Sequence, residues 1–495
     1  MNALPTLALW VDGVGRSRSE IEDALLSVVR QAGPGAEIVC LLAADDCAGW
    51  GRIGGDAVRI IPLPDEDDAV ALNDLLSETR SNWVLWIDSA AQLASGALGT
   101  IEATVERFDV DVLYGDSELA GEQRTHRPAF SPLRLRSQDY LGDVRGFRVE
   151  ALRDKGGFGA GLAGAHPLDL ALRLGEDAGR VVRIPQNLCV STSAVRPPTE
   201  RRRQAVSRFL DGSGIDAEVT IVDGGLRVRY PVSSGPLVSI IIPTRGSRAR
   251  IHGADGVLVV DAVRGILERS TYPSIEFVIV ADDETPQSVI DDLVTLAGNS
   301  LRLVRWSKQF NFSAKMNRGA IFARGEYLVL LNDDVEVISP DWIEVLLGLA
   351  QQPTVGLVGS LLLFEDGTIQ HGGHLYSASW AGHIAWGRSA DWDDEIGSMG
   401  VDREVSGVTA ACAMIRADTF WEVGGLCLDY AGNYNDVDLS LKVGVTGRSV
   451  VWTPHARLYH FESKSRVATV QPAEVARLRA HWGTELLADP YWPSG

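Results

Sequence analysis

Two adjacent carboxylates, Asp333 and Asp334, follow Asn332 directly after an apolar run, Tyr327-Leu328-Val329-Leu330-Leu331. Such a run reads as a buried strand, and ligands of an α/β sheet bind beyond the carboxyl ends of its strands. Paired acidic oxygens placed there suit a hard divalent cation, Mg2+ or Mn2+, bridging a diphosphate. The same three residues are also ordinary turn formers. The rest of the chain has to decide between a turn and a metal site.

The 495 residues exceed one ordinary core, so two domains are expected, and 45% hydrophobic with 23% charged residues is a soluble, globular composition. A net charge of −20 disfavours nucleic acid and anionic membrane as nonspecific partners. Local basic clusters, Arg201-Arg202-Arg203 and the stretch from Arg124 to Arg136, are where lipid head groups could still be touched; the first reads as a solvated helix face. No stretch has the roughly 18–20 apolar residues of a membrane span. The start, Met1-Asn2-Ala3-Leu4-Pro5, lacks signal-peptide features, so a cytoplasmic location is expected. Cys40, Cys47, Cys189, Cys412 and Cys427 are scattered without a CxxC pair, which argues against a disulfide framework and a zinc site.

The elements that must position the acidic pair occur twice. Leu237-Val238-Ser239-Ile240-Ile241-Ile242 leads to Pro243-Thr244-Arg245, and Phe277-Val278-Ile279-Val280 leads to Asp282-Asp283. The first half repeats this order with Leu7–Val11 ending at Asp12 and Glu37–Leu42 ending near Asp45-Asp46. Trp83–Ser89-Ala90 lies over Tyr327–Asp333-Asp334, and His166-Pro167-Leu168-Asp169 over Asn435-Asp436-Val437-Asp438. Alternating strand and helix patterns predict an α/β fold with a largely parallel sheet in each half. The predicted division is 1–190, a structured connector 191–236 with Pro197-Pro198 and strands near 217–222 and 226–230, and 237–495. Ser339-Pro340 predicts a helix start with serine as N-cap, and residues 377–402, with Trp380, Trp386 and Trp392, predict a long loop serving as lid or acceptor element.

Assembled, these stretches resemble glycosyltransferase family 2, the inverting GT-A fold enzymes, and in particular bacterial tandem-domain members of polysaccharide and O-antigen assembly. The matching motifs are Val238–Arg245, Phe310–Ala320, Leu331–Glu336, Asp366–Gly373, Asn435–Asp438 and His460-Phe461-Glu462-Ser463. The resemblance implies two tandem GT-A-like, Rossmann-like domains. It implies donor contacts from Pro243, Thr244, Arg245, Asp282, Asn317 and Asp333, with Asp283 as an alternative to Asp282. It further implies a Mn2+ or Mg2+ ion on Asp334 and His460 with Asp333, and Asp436 as the base that deprotonates the acceptor. Asp438 is expected at the helix start or on an arginine. His371, His374, His383 and His455 are expected to be hydrogen-bonded scaffold, with His371 facing donor or acceptor.

The implied partners are a nucleotide-diphosphate sugar, UDP- or dTDP-linked, and an oligosaccharide or lipid-linked glycan acceptor, with peripheral association at the inner face of the plasma membrane. In the first half Ser89, Ala90 and Pro167 replace Asp333, Asp334 and Asp436, so that half is expected to be noncatalytic, despite an acidic stretch Tyr114–Glu118. Two other classes compete. A noncatalytic glycan-binding scaffold is one, and a nucleotidyltransferase, for which Pro243-Thr244-Arg245-Gly246 is a poor phosphate loop, is the other.

Overall fold

The computed structural model describes residues 6–47, 50, 57–64, 68–119, 121, 124–191, 199–222, 224–232, 235–378, 380–461 and 470–492. Pro197-Pro198 and Glu462-Ser463 lie outside the described residues. The chain divides into two compact units, one of residues 1–228, 394–401 and 493–495, the other of residues 229–393 and 402–492.

In the first unit the strands run, edge to edge, Val58–Leu63, Glu37–Ala43, Leu7–Asp12, Trp83–Asp88, Val144–Arg148, Val112–Leu119, Val181–Ser191 and Ala91–Leu93. In the second they run Leu301–Trp306, Ile275–Asp282, Val238–Thr244, Tyr327–Leu331, Cys412–Arg416, Val355–Leu363, Ser449–His460 and Val335–Val337. Position by position, the two sheets share one order and one set of pairing senses. The first four strands are mutually parallel, the fifth is antiparallel to both neighbours, the sixth and seventh are parallel, and the last is antiparallel. A sheet covered on both faces requires apolar side chains on successive residues. Accordingly Ile240, Ile241, Ile242 and Val329, Leu330, Leu331 are all fully buried.

The helix Phe312–Phe322 begins at Asn311, whose side chain accepts from Ala314 N at 2.8 Å. It lies on the sheet through Gly319, where a β-carbon would stand 2.3 Å from Ile241 and 3.1 Å from Val280. Glycine there lets helix and strand approach closely.

Three predicted features differ. The helix expected at Ser339-Pro340 is Trp342–Ala350 with Asp341 at its N-cap. The amides of Ile338 and Ser339 both donate to Arg457 O, which holds the segment in extended pairing and delays the helix. The stretch 377–402 is not all loop, because Trp380–His383 pairs with His374–Ser377 as a hairpin. Each basic cluster turns only some of its residues inward, and Arg201 stays exposed. Arg202 is buried with Nε 3.8 Å from Asp139, and Arg127 and Arg134 are buried in hydrogen bonds to Ser117 and Gln138.

Candidate active site

Strands Val238–Thr244, Ile275–Asp282 and Tyr327–Leu331 are parallel neighbours, so Thr244, Asp282 and the Asn332-Asp333-Asp334 turn emerge at one edge of the second sheet. Thr244 Oγ1 donates to Asp333 Oδ2 at 2.6 Å and accepts from Gly246 N at 2.9 Å. Burial, then the charge of Asp334, raises Asp333 to about 7, against the pull of Thr244 and Lys315. Burial also works to raise Asp334, but the adjacent His460 outweighs it and the net shift is downward. Two abutting buried carboxylates resist sharing a full double charge, and a cation between them removes that resistance.

His460 ends the strand Ser449–His460 and pairs with Val335, one residue past the acidic turn. Phe461 N donates to Asp334 O at 2.9 Å, tying the strand end to the turn. His460 Nδ1 lies 2.6 Å from Gln370 Oε1. An amide oxygen only accepts, so Nδ1 carries the proton. Nε2 faces the acidic turn, 3.2 Å from Asp334 Oδ1 and 2.9 Å from Asn332 Nδ2, where a cation would take the place of a proton shared with Asp334. An imidazole oriented through its other nitrogen, beside a carboxylate, is the usual preparation of a metal ligand. Asp333, Asp334 and His460 thus fit a divalent cation.

Asp436 opens the helix Asn435–Val445, preceded by Tyr434 at φ 60°. Its Oδ1 accepts from Val437 N at 2.9 Å and Oδ2 from Ala410 N at 3.3 Å. The next residue, Ala411, accepts from Asn332 N at 3.1 Å. One short segment therefore holds both the acidic turn and Asp436. The Asp436 side chain is 18% exposed, which leaves it reachable by a substrate. Asp438 points elsewhere, to Lys442 Nζ at 2.9 Å and Trp482 Nε1 at 3.0 Å, rather than to an arginine.

The remaining candidates divide. Asp282 Oδ1 receives Lys315 Nζ at 2.7 Å, Pro243 is half-buried, and Arg245 is exposed with Nε on Ser247 Oγ at 3.0 Å. Asn317 is not brought to this edge. Its amide donates to Leu426 O at 2.8 Å and accepts from Leu426 N at 2.9 Å, clamping the Gly424-Gly425 turn. Asp283 is exposed, its amide on Trp306 O at 3.0 Å.

Sequence reasoning assigned no role to Lys315 or Gln370. Lys315 is 2% exposed and its Nζ also donates to Thr244 O at 3.3 Å, so it links two strand ends. A lysine on the buried stripe of a helix beside Ser313, Met316 and Gly319 was the available signal. For Gln370, the short strand Ile369–His371 gave no such signal. Close to Asp436, His374 is pushed down to about 4 by burial, against the pull of Asp436. Burial and the neighbouring His383 hold His371 well below the usual histidine range.

The profile described as "Glycosyl transferase family 2" matches residues 239–424, which span the acidic turn and the segment Ala410-Ala411. Residues 239–424 form a glycosyltransferase family 2 domain. Two curated relatives align over most of the chain. The uncharacterized protein y4gI of Sinorhizobium fredii is 30% identical over 456 residues, 85% of this chain and 49% of that protein. The O-antigen biosynthesis protein RfbC of Myxococcus xanthus is 32% identical over 436 residues, 84% of this chain and 34% of that protein. The chain therefore spans half or less of the length of these relatives. Among solved structures, that of GalNAc-T7 with UDP, GalNAc and Mn2+ overlays with a TM-score of 0.42 at 14% identity, covering 52% of this chain and 49% of that one. Among the described residues, no helix is long and apolar enough to cross a membrane.

Proposed function

We propose that the second unit transfers a hexosyl or deoxyhexosyl group, with inversion, from a UDP- or dTDP-sugar to a growing bacterial surface-polysaccharide acceptor. The observation carrying this reading is the double grip of Ala410-Ala411 on the acidic turn and on Asp436. It would set Asp436, as a carboxylate base, beside a candidate diphosphate site, which inverting transfer needs. Asp333, Asp334 and His460 would hold a Mn2+ or Mg2+ ion, which supplies charge neutralisation of the diphosphate leaving group. Asp282, positioned by Lys315, and the Pro243-Thr244-Arg245 edge would receive the nucleoside. Asp436 accepts the acceptor hydroxyl's proton while that oxygen bonds to the anomeric carbon. The bond from that carbon to the diphosphate breaks on the opposite face, which inverts the configuration.

The first unit would not catalyse this reaction. After the strand Trp83–Asp88 it has Ser89 and Ala90, and Asp88 is already paired with Arg16 at 3.1 Å. Its helix His166–Leu174 carries Pro167 in the place proposed for the base. A glycan-binding or assembly role suits it better. The O-antigen name of one relative supports the acceptor class, which would place the enzyme at the cytoplasmic face of the membrane. The test is a donor panel with product linkage analysis, run on the unaltered chain and on Asp334→Ala. The expected result is one inverted product whose formation stops in the variant. Retention of configuration, or substantial turnover in Asp334→Ala, would overturn the reading.

A further inference from the structure

Apart from the acidic turn, three imidazoles converge in the second unit. His374 and His383 stand directly opposite each other in the antiparallel hairpin, so their side chains leave the same face a few ångströms apart. His371 arrives from the preceding strand Ile369–His371, and one ring nitrogen from each of the three lies within 4.8 Å of the others. His371 Nδ1 and His383 Nδ1 are 2.7 Å apart, sharing a proton in an N–H···N hydrogen bond. His374 Nδ1 is buried without a hydrogen-bond partner, in a residue 3% exposed. A buried polar atom left in that condition is destabilising.

We propose that His371, His374 and His383 form a second metal site, which takes a transition-metal cation of the Zn2+ class. The donors decide the class. Three neutral nitrogens suit Zn2+, Co2+ or Ni2+, whereas the oxygen-rich acidic turn suits harder ions. Thr409 N donates to His371 Nε2 at 3.2 Å, so the proton shared by His371 and His383 sits on their facing nitrogens. When the cation enters at Nδ1, His371 stays neutral by moving that proton to Nε2 and giving up the Thr409 contact. His374 Nε2 is 3.9 Å from Asp436 Oδ2, so the bound ion would neighbour the proposed base and brace the hairpin against the helix that carries it.

The experiment uses the full chain without an affinity tag, stripped by a chelator and titrated with Co2+, then Zn2+. The expected result is a visible d–d absorption band that saturates near one Co2+ and is quenched by Zn2+. The band should persist in Asp334→Ala and disappear in His383→Ala, a change at an exposed position that spares the core. His374→Gln should also remove it. An unchanged band in His383→Ala overturns the proposal, as does a band lost in Asp334→Ala but kept in His383→Ala. Absence of any band in the unaltered chain overturns it too. None of these readings depends on sugar transfer, so this site and the proposed activity fail separately.

Discussion

Asp333 and Asp334 are neighbours in sequence with opposite titration behaviour, because only Asp334 faces His460. The folded-state value of about 7 for Asp333 lies above its ordinary 3.8. The folded chain therefore holds a proton that the unfolded chain releases, and this group lowers stability as pH rises from about 4 to about 7. Without divalent metal, Asp333→Asn should flatten that fall, read as urea midpoints between pH 4.5 and 8. An equally steep fall in the variant would count against the assignment. Added Mn2+ should recover the unaltered chain at pH 8 and leave Asp334→Ala unchanged. Lys315 gives a second prediction at this scale. Lys315→Met removes the partner of Asp282 and one donor to Thr244 O, with an expected cost of roughly 1–3 kcal/mol. Nucleotide affinity should fall further than stability accounts for, which titration calorimetry with a UDP- or dTDP-sugar can separate.

At the scale of elements, the site depends on how closely the helix Phe312–Phe322 lies on strands Val238–Thr244 and Ile275–Asp282. A β-carbon on Gly319 would meet Ile241 at 2.3 Å. Gly319→Ala should therefore cost about 1–3 kcal/mol by overpacking and raise the donor KM, because Lys315 moves with the helix. Gly265 provides the control, since it lies within the helix Leu258–Arg269 with nothing within 4 Å of its added β-carbon. Gly265→Ala should stabilise by about 0.4–1 kcal/mol. Thermal unfolding of both variants checks the pair, and similar shifts in the two would refute the packing argument.

Across the whole molecule, two sheets of one strand order differ in what stands at the carboxyl ends of their strands. Where the second has Asp333 and Asp334 beside His460, the first has Asp88 neutralised by Arg16. Restoring acids alone should not restore chemistry. In an Asp334→Ala background, adding Ser89→Asp and Ala90→Asp is expected to return no turnover, because Pro167 provides no base and Arg16 holds the strand end. Recovered transfer in a radiolabelled-sugar assay would show that the first unit can assemble a site.

The positions of the strands along the chain and the acidic turn were legible because they are local. Continuous apolar runs mark strands buried on both faces, and the repeat of those runs from one half to the other needs no coordinates. Asp436 and His460 were singled out through ordered motifs, not through anything in their immediate neighbours. Other assignments required the folded chain. Asn317 looks like a ligand until Leu426 takes both ends of its amide. Ser339 looks like a cap until its backbone amide is found on Arg457 O. His371, His374 and His383 read as separate scaffold residues until the hairpin register sets two of them face to face. The amino-acid sequence by itself determined which strands are buried and which turn carries two carboxylates, since both follow from residue type over a few positions. Only the tertiary structure decided which polar side chains are already engaged and which converge, because their partners lie many residues away along the chain.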